Sequence, residues 1–63
     1  MKNVIVKFRY LGESKVVEVL EIDNNKEEEM VFFTLEDLVE FLPEFLGDFY
    51  DTTEFTLQEV QTQ

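Results

Sequence analysis

Apolar and polar residues alternate from Asn3 to Tyr10 (NVIVKFRY), with Val4, Val6, Phe8 and Tyr10 on one face and Ile5, Lys7 and Arg9 on the other. A period of two over this length predicts a half-buried strand. The stretch LGES supplies a turn around Gly12, and KVVEVLEI, rich in β-branched residues, predicts a second strand over Lys15 to Ile22 that returns antiparallel to the first. DNNK then breaks the pattern with turn formers. Met30 to Phe33 reads equally as a short third strand or as an apolar lead-in to a helix.

The period changes at Thr34. Leu35, Leu38, Val39, Leu42, Phe45, Leu46 and Phe49 gather on one side of a helix, and Glu36, Asp37, Glu40, Glu44 and Asp48 gather on the other. Thr34 is a good N-cap, Asp37 stands at the third position of a capping-box-like TLED, and Glu36 and Asp37 complement the positive end of the helix. Phe33 and Leu38 have the spacing of a hydrophobic staple. Pro43 either kinks one helix or separates two, because it cannot donate to the carbonyl four residues back, and Gly47 is the expected stop. EFTLQEV closes the chain as a last strand, alternating Phe55, Leu57 and Glu59 with Thr56, Gln58 and Val60. The order strand, strand, helix, strand predicts a single α+β domain over residues 1–63, a three- or four-stranded antiparallel sheet packed against one helix.

Sixty-three residues leave room for one small core, so self-association into a homodimer would add stabilisation. The absence of cysteine and histidine excludes a disulfide framework and a structural zinc site, and fits a cytoplasmic setting. The apolar patch at the amino terminus is too short for a signal-peptide core and carries Lys7 and Arg9, so neither secretion nor membrane insertion is expected. Catalysis is poorly served. The only serine, Ser14, falls in a predicted turn without a base beside it, and carboxylates are so abundant that no pair stands out. Glu27 to Glu29 lack the spacing and glycine of a calcium loop, so neither metal nor cofactor is expected.

Charge changes the picture more than composition does. The net charge is -10, but all five bases lie in the first 26 residues with four acids, and from Glu27 onward there are 11 acids and no base. Such segregation points to a one-signed face that repels nucleic acid and attracts a basic protein surface. On the helix, Glu36/Glu40 and Glu40/Glu44 are like-charge pairs four apart, each weakening the helix by a few tenths of a kcal/mol. A sequence that keeps this strain unrelieved suggests a demand beyond solubility. Carboxylates four apart recur about every 6 Å along a helix, on the scale of charge spacing in a nucleic-acid backbone. Charge alone would bind weakly, because salt screens exposed groups over about 8 to 10 Å. An aromatic anchor among the acids would add a desolvated centre. Phe41, at the border of the two sides, and Tyr50 are the rings expected to be available, and Glu36, Asp37, Glu40, Phe41, Glu44, Asp48, Tyr50 and Asp51 form the candidate partner-binding set.

In size, acidity and order of elements, and in its hydroxyl-capped acidic helix start TLEDLVEFL, the chain resembles the small phage-encoded inhibitors of uracil-DNA glycosylase that mimic DNA. The resemblance implies a three-stranded antiparallel sheet with a helix, a dimer, and a helix aromatic that engages the leucine loop of the enzyme in an infected bacterial host. Aligned on Asp37, the family's phenylalanine falls at Leu38, with Phe41 one turn later, and Glu18 or Glu21 would stand for the family's second-strand carboxylate. Two other classes share these features. One is an anti-CRISPR protein occupying the site where an effector nuclease reads its protospacer-adjacent motif, and the other is a small dimeric adaptor. In each case the expected partner is a protein, not nucleic acid or a membrane.

Overall fold

A computed structural model describes residues 2–61. Strand β1 (Val4–Tyr10) and strand β2 (Val17–Ile22) form the expected antiparallel hairpin. Gly12, with φ of 61°, takes the left-handed position in the connecting turn. Ser14 closes that turn, its hydroxyl donating to the Leu11 carbonyl and accepting from the Val16 amide. A shift in register leaves Leu20 without a partner on β1: Phe8 pairs with Val19, and Lys7 with Glu21. Strict alternation from Val17 and Val19 would point Glu21 inward. The extra residue turns Ile22 into the core instead and leaves Glu21 to Lys7 on the opposite face.

Asp23 and Asn24, both with positive φ, make a two-residue turn into the short strand β3 (Asn25–Lys26). The chain then comes back along β2 as β4 (Val31–Phe32), where Val17 pairs with Phe32 and Glu18 with Val31. The helix α1 (Leu35–Phe49) comes next, and β5 (Phe55–Glu59) lies against the far side of β1. The sheet order is β3-β2-β1-β5, with β4 also on β2.

The α+β class and the helix laid on the sheet are as expected, but the sheet has five strands rather than three or four, because the Asn25 to Phe32 segment adds two short ones, and it is mixed rather than antiparallel: β5 runs parallel to β1, Val6 pairing with Leu57. The extra reversal comes at the Asp23–Asn24 turn: β3 and β4 both run antiparallel to β2, so the chain enters the helix one reversal later than a simple strand, strand, helix, strand order expects, and β5 enters in the direction of β1.

One face of the sheet carries the core: Val4, Val6, Phe8, Val17, Val19 and Ile22 are buried against Leu38, Leu42 and Leu46 of the helix. Those leucines recur every four residues, which keeps one narrow stripe on the sheet. Thr34 caps the helix as expected, its hydroxyl accepting from the Asp37 amide at 3.2 Å. The staple does not form. Phe32 is the residue that turns inward, and Phe33 is 82% exposed while Leu38 is fully buried.

Pro43 neither splits the helix nor ends it. It lies on the exposed side, and the carbonyl it leaves without a donor belongs to the exposed residue Val39, where water can serve it. Gly47 is not the stop either; the helix continues for two residues beyond it. The stop is Asp51, with φ of 56°, after the Tyr50 amide has bonded the Leu46 carbonyl at 2.8 Å. The next turn is tied to the start of β1. The Thr52 hydroxyl donates to the Lys2 carbonyl at 2.8 Å, and the Val4 amide donates to the Glu54 carbonyl.

Candidate acidic docking face

Glu36, Asp37, Glu40, Glu44 and Asp48 are all exposed on α1 and span about 18 Å of helix axis. Asp51 and Glu54 extend the acidic surface past its end. Among the described residues the ion pairs are Lys2 with Asp23 (2.8 Å), Lys7 with Glu21 (3.8 Å) and Arg9 with Glu18 (2.8 Å), and none involves a helix carboxylate. The hairpin register explains the arrangement, since Arg9 stands opposite Glu18 and Lys7 opposite Glu21. While Lys2 meets Asp23 at the β2–β3 turn, the two hairpin pairs therefore neutralise themselves on the uncovered face of the sheet. Glu18 and Glu21, the candidates for a second-strand carboxylate, are both engaged there and do not join the helix row.

Phe41 is half-buried and packs on the core. Its ring lies between Phe32 (5.0 Å between centroids) and Phe45 (5.1 Å, stacked), and Phe45 in turn meets Phe49 at 4.8 Å. The three helix rings are spaced four residues apart and so form a ridge along one flank of α1. The expected pattern, with Phe49 in the core and Tyr50 available, is reversed at the end of this ridge. Phe49 is 71% exposed, whereas Tyr50 is half-buried. The Tyr50 hydroxyl donates to the Ile22 carbonyl and accepts from the Asn25 side chain, each at 3.4 Å, and Lys2 sits 5.5 Å over its ring. Tyr50 thus fills the space above the end of β2 and leaves Phe49 outside. Helical spacing alone places Phe49 with the leucines. The signal for its exposure lies in the adjacent tyrosine, a residue with a polar tip suited to the turn below it.

Between this ridge and the acid row runs a shallow cleft of about 280 Å³ lined by Phe41, Glu44, Phe45, Asp48 and Phe49. The opposite flank of the helix carries Val39, Pro43 and Gly47 and has no aromatic ring. Within α1, acids and rings therefore meet along one border.

Among the described residues no group of three acids could hold a metal ion, and no helix is long and apolar enough to cross a membrane. Comparison with protein-family models finds no match, and comparisons with curated proteins and with solved structures find none either.

Proposed function

We propose that the protein is a non-catalytic, DNA-mimicking inhibitor that lays its acidic helix in the basic DNA-binding groove of an enzyme in an infected bacterial cell. The observation that carries this reading is the row of five exposed carboxylates held on one rigid helix, with no base among the described residues within ion-pair distance. A row of this kind attracts a phosphate-binding groove at long range, and the ring ridge beside it, half-buried at Phe41 and Phe45 and exposed at Phe49, supplies apolar surface for the contact. Uracil-DNA glycosylase is the first target to test. Its uracil excision should fall on adding the protein, recover on adding competitor DNA, and recover as salt is raised from about 50 to about 500 mM, over which the Debye length falls several-fold. Inhibition indifferent to salt would refute the mimic reading. No inhibition of the glycosylase would move the same test to DNA binding by a CRISPR effector.

A second reading, a small adaptor that dimerises through its sheet edge, draws on β5. Among the described strands this one ends the sheet and pairs with β1 alone, so its outer edge is open to another strand. A concentration-independent monomer mass in light scattering would exclude it.

A further inference from the structure

The cleft beside the acid row has a chemistry more specific than charge. Its floor is the stacked pair Phe41 and Phe45, its end wall is the exposed ring of Phe49, and its rim carries the carboxylates of Glu44 and Asp48. The two carboxylates are four residues apart, so both overhang the same turn of helix. At about 280 Å³ the cleft falls just below the range of small-molecule pockets, about 300 to 1,000 Å³. It is sized for one inserted side chain. Ring faces next to paired carboxylates suit a planar cation that can stack and hydrogen-bond in a fork at the same time, which a guanidinium does and an ammonium does not.

We infer that the Phe45/Phe49 cleft is an arginine-selective docking point, taking an arginine side chain of the partner with its guanidinium stacked on the rings and paired to Glu44 and Asp48. The inference rests on the docking reading above and sharpens it. The rest of the row steers any basic surface, whereas this point selects arginine and fixes register. The side of the groove that meets the ridge should accordingly carry arginine rather than lysine.

The test uses the full chain and two short peptides that differ only in having arginine or lysine at two positions, titrated by NMR at low salt. The arginine peptide should shift the Phe45 and Phe49 ring resonances and bind about fivefold more tightly than the lysine peptide, the worth of about 1 kcal/mol of cation–π and fork pairing. Phe49→Ala should abolish that preference, so that the two peptides bind with equal affinity. Phe49→Leu, which keeps apolar contact with Phe45 but has no ring face, should do the same. Glu36→Gln, at the far end of the row, should weaken both peptides equally. If both peptides bind with equal affinity in a salt-sensitive manner and Phe49→Leu changes neither, arginine selection is wrong and the acidic-face reading stands. If neither peptide binds, both readings fail.

Discussion

Glu40→Lys should make the domain more stable and its partner binding weaker. Glu40 faces Glu36 and Glu44 at four residues and Asp37 at three, so one side chain takes part in three like-charge contacts. Each costs about 0.2–0.5 kcal/mol on an exposed helix, and opposite-charge pairs return a similar amount. The introduced lysine would stand four residues after Glu36, the favoured order for such a pair, and precede Glu44, the less favoured one. Lysine and glutamate have nearly equal helix propensity, and position 40 is too far from either end for the helix dipole to matter. The swing is therefore about 1–3 kcal/mol in favour of the folded state. For a domain of this size each kcal/mol raises Tm by about 4–8 °C. Circular dichroism melts at low ionic strength would read this rise, and the same melts in about 1 M salt, where the Debye length is about 3 Å, should show most of it gone. An unchanged or lowered Tm at low salt would refute the claim that the row is strained. A gain that survived high salt intact would point to packing of the lysine stem instead. Glycosylase inhibition, or binding to whichever target is found, should drop in the same variant. Opposite signs for stability and binding are what a strained functional surface produces.

Other substitutions separate the core from the docking face. Leu42→Ala deletes a fully buried side chain from the middle of the helix stripe. It should cost about 2–5 kcal/mol by urea denaturation, a large part of the roughly 3–9 kcal/mol a domain of this length is expected to have. Phe41→Ala removes a half-buried ring between Phe32 and Phe45, so it should lower stability by about 1–3 kcal/mol as well as weaken binding, whereas Phe49→Ala should stay within about 0.5 kcal/mol of the parent. A Cβ added at Gly47 meets nothing within 4 Å and the backbone there is helical, so Gly47→Ala should gain about 0.5–1 kcal/mol, read as a higher urea midpoint. The double exchange Arg9→Glu with Glu18→Arg keeps the sheet neutral and the helix untouched, so partner binding should survive it; loss of binding would place the site on the sheet instead.

Much of the fold was legible because each strand and the helix carried its own period. The hairpin, the Thr34 cap and the leucine stripe arise from residues within a few positions of one another. The illegible parts depended on competition between neighbours. Phe32 and Phe33 are chemically identical, and only the pairing of Phe32 with Val17 on β2 decides which one turns inward. The direction of β5 depends on the reversal at the Asp23–Asn24 turn, so one short turn fixes the arrangement of the whole sheet. Gly47 and Asp51 show the same thing at the helix end. A glycine was the stronger local stop signal, but burial of Leu46 and the tie from Tyr50 to the β2–β3 turn hold the helix open for two more residues.

For the site, sequence spacing brought the five helix acids to one side, and there they stand. The structure also ties down most of the bases. Three of five are drawn into pairs with three of the first four acids, two by strand register and one where Lys2 meets Asp23 across the turn. Those pairs cancel, leaving Lys15 and Lys26 against twelve acids, so the net charge of -10 resides wholly in groups outside the hairpin's own pairs. Lys15 lies in the turn before β2 and Lys26 on β3, neither on the helix. A protein charged only for solubility has no reason to confine its bases in this way, since interspersed signs would keep it soluble and also support the helix. Register holds Lys7 and Arg9 on the sheet and Asp23 takes up Lys2, so among the described residues no helix carboxylate is in an ion pair; Lys15, which lines a cleft with Thr34, Leu35 and Glu36, is a base that stands beside the start of the row.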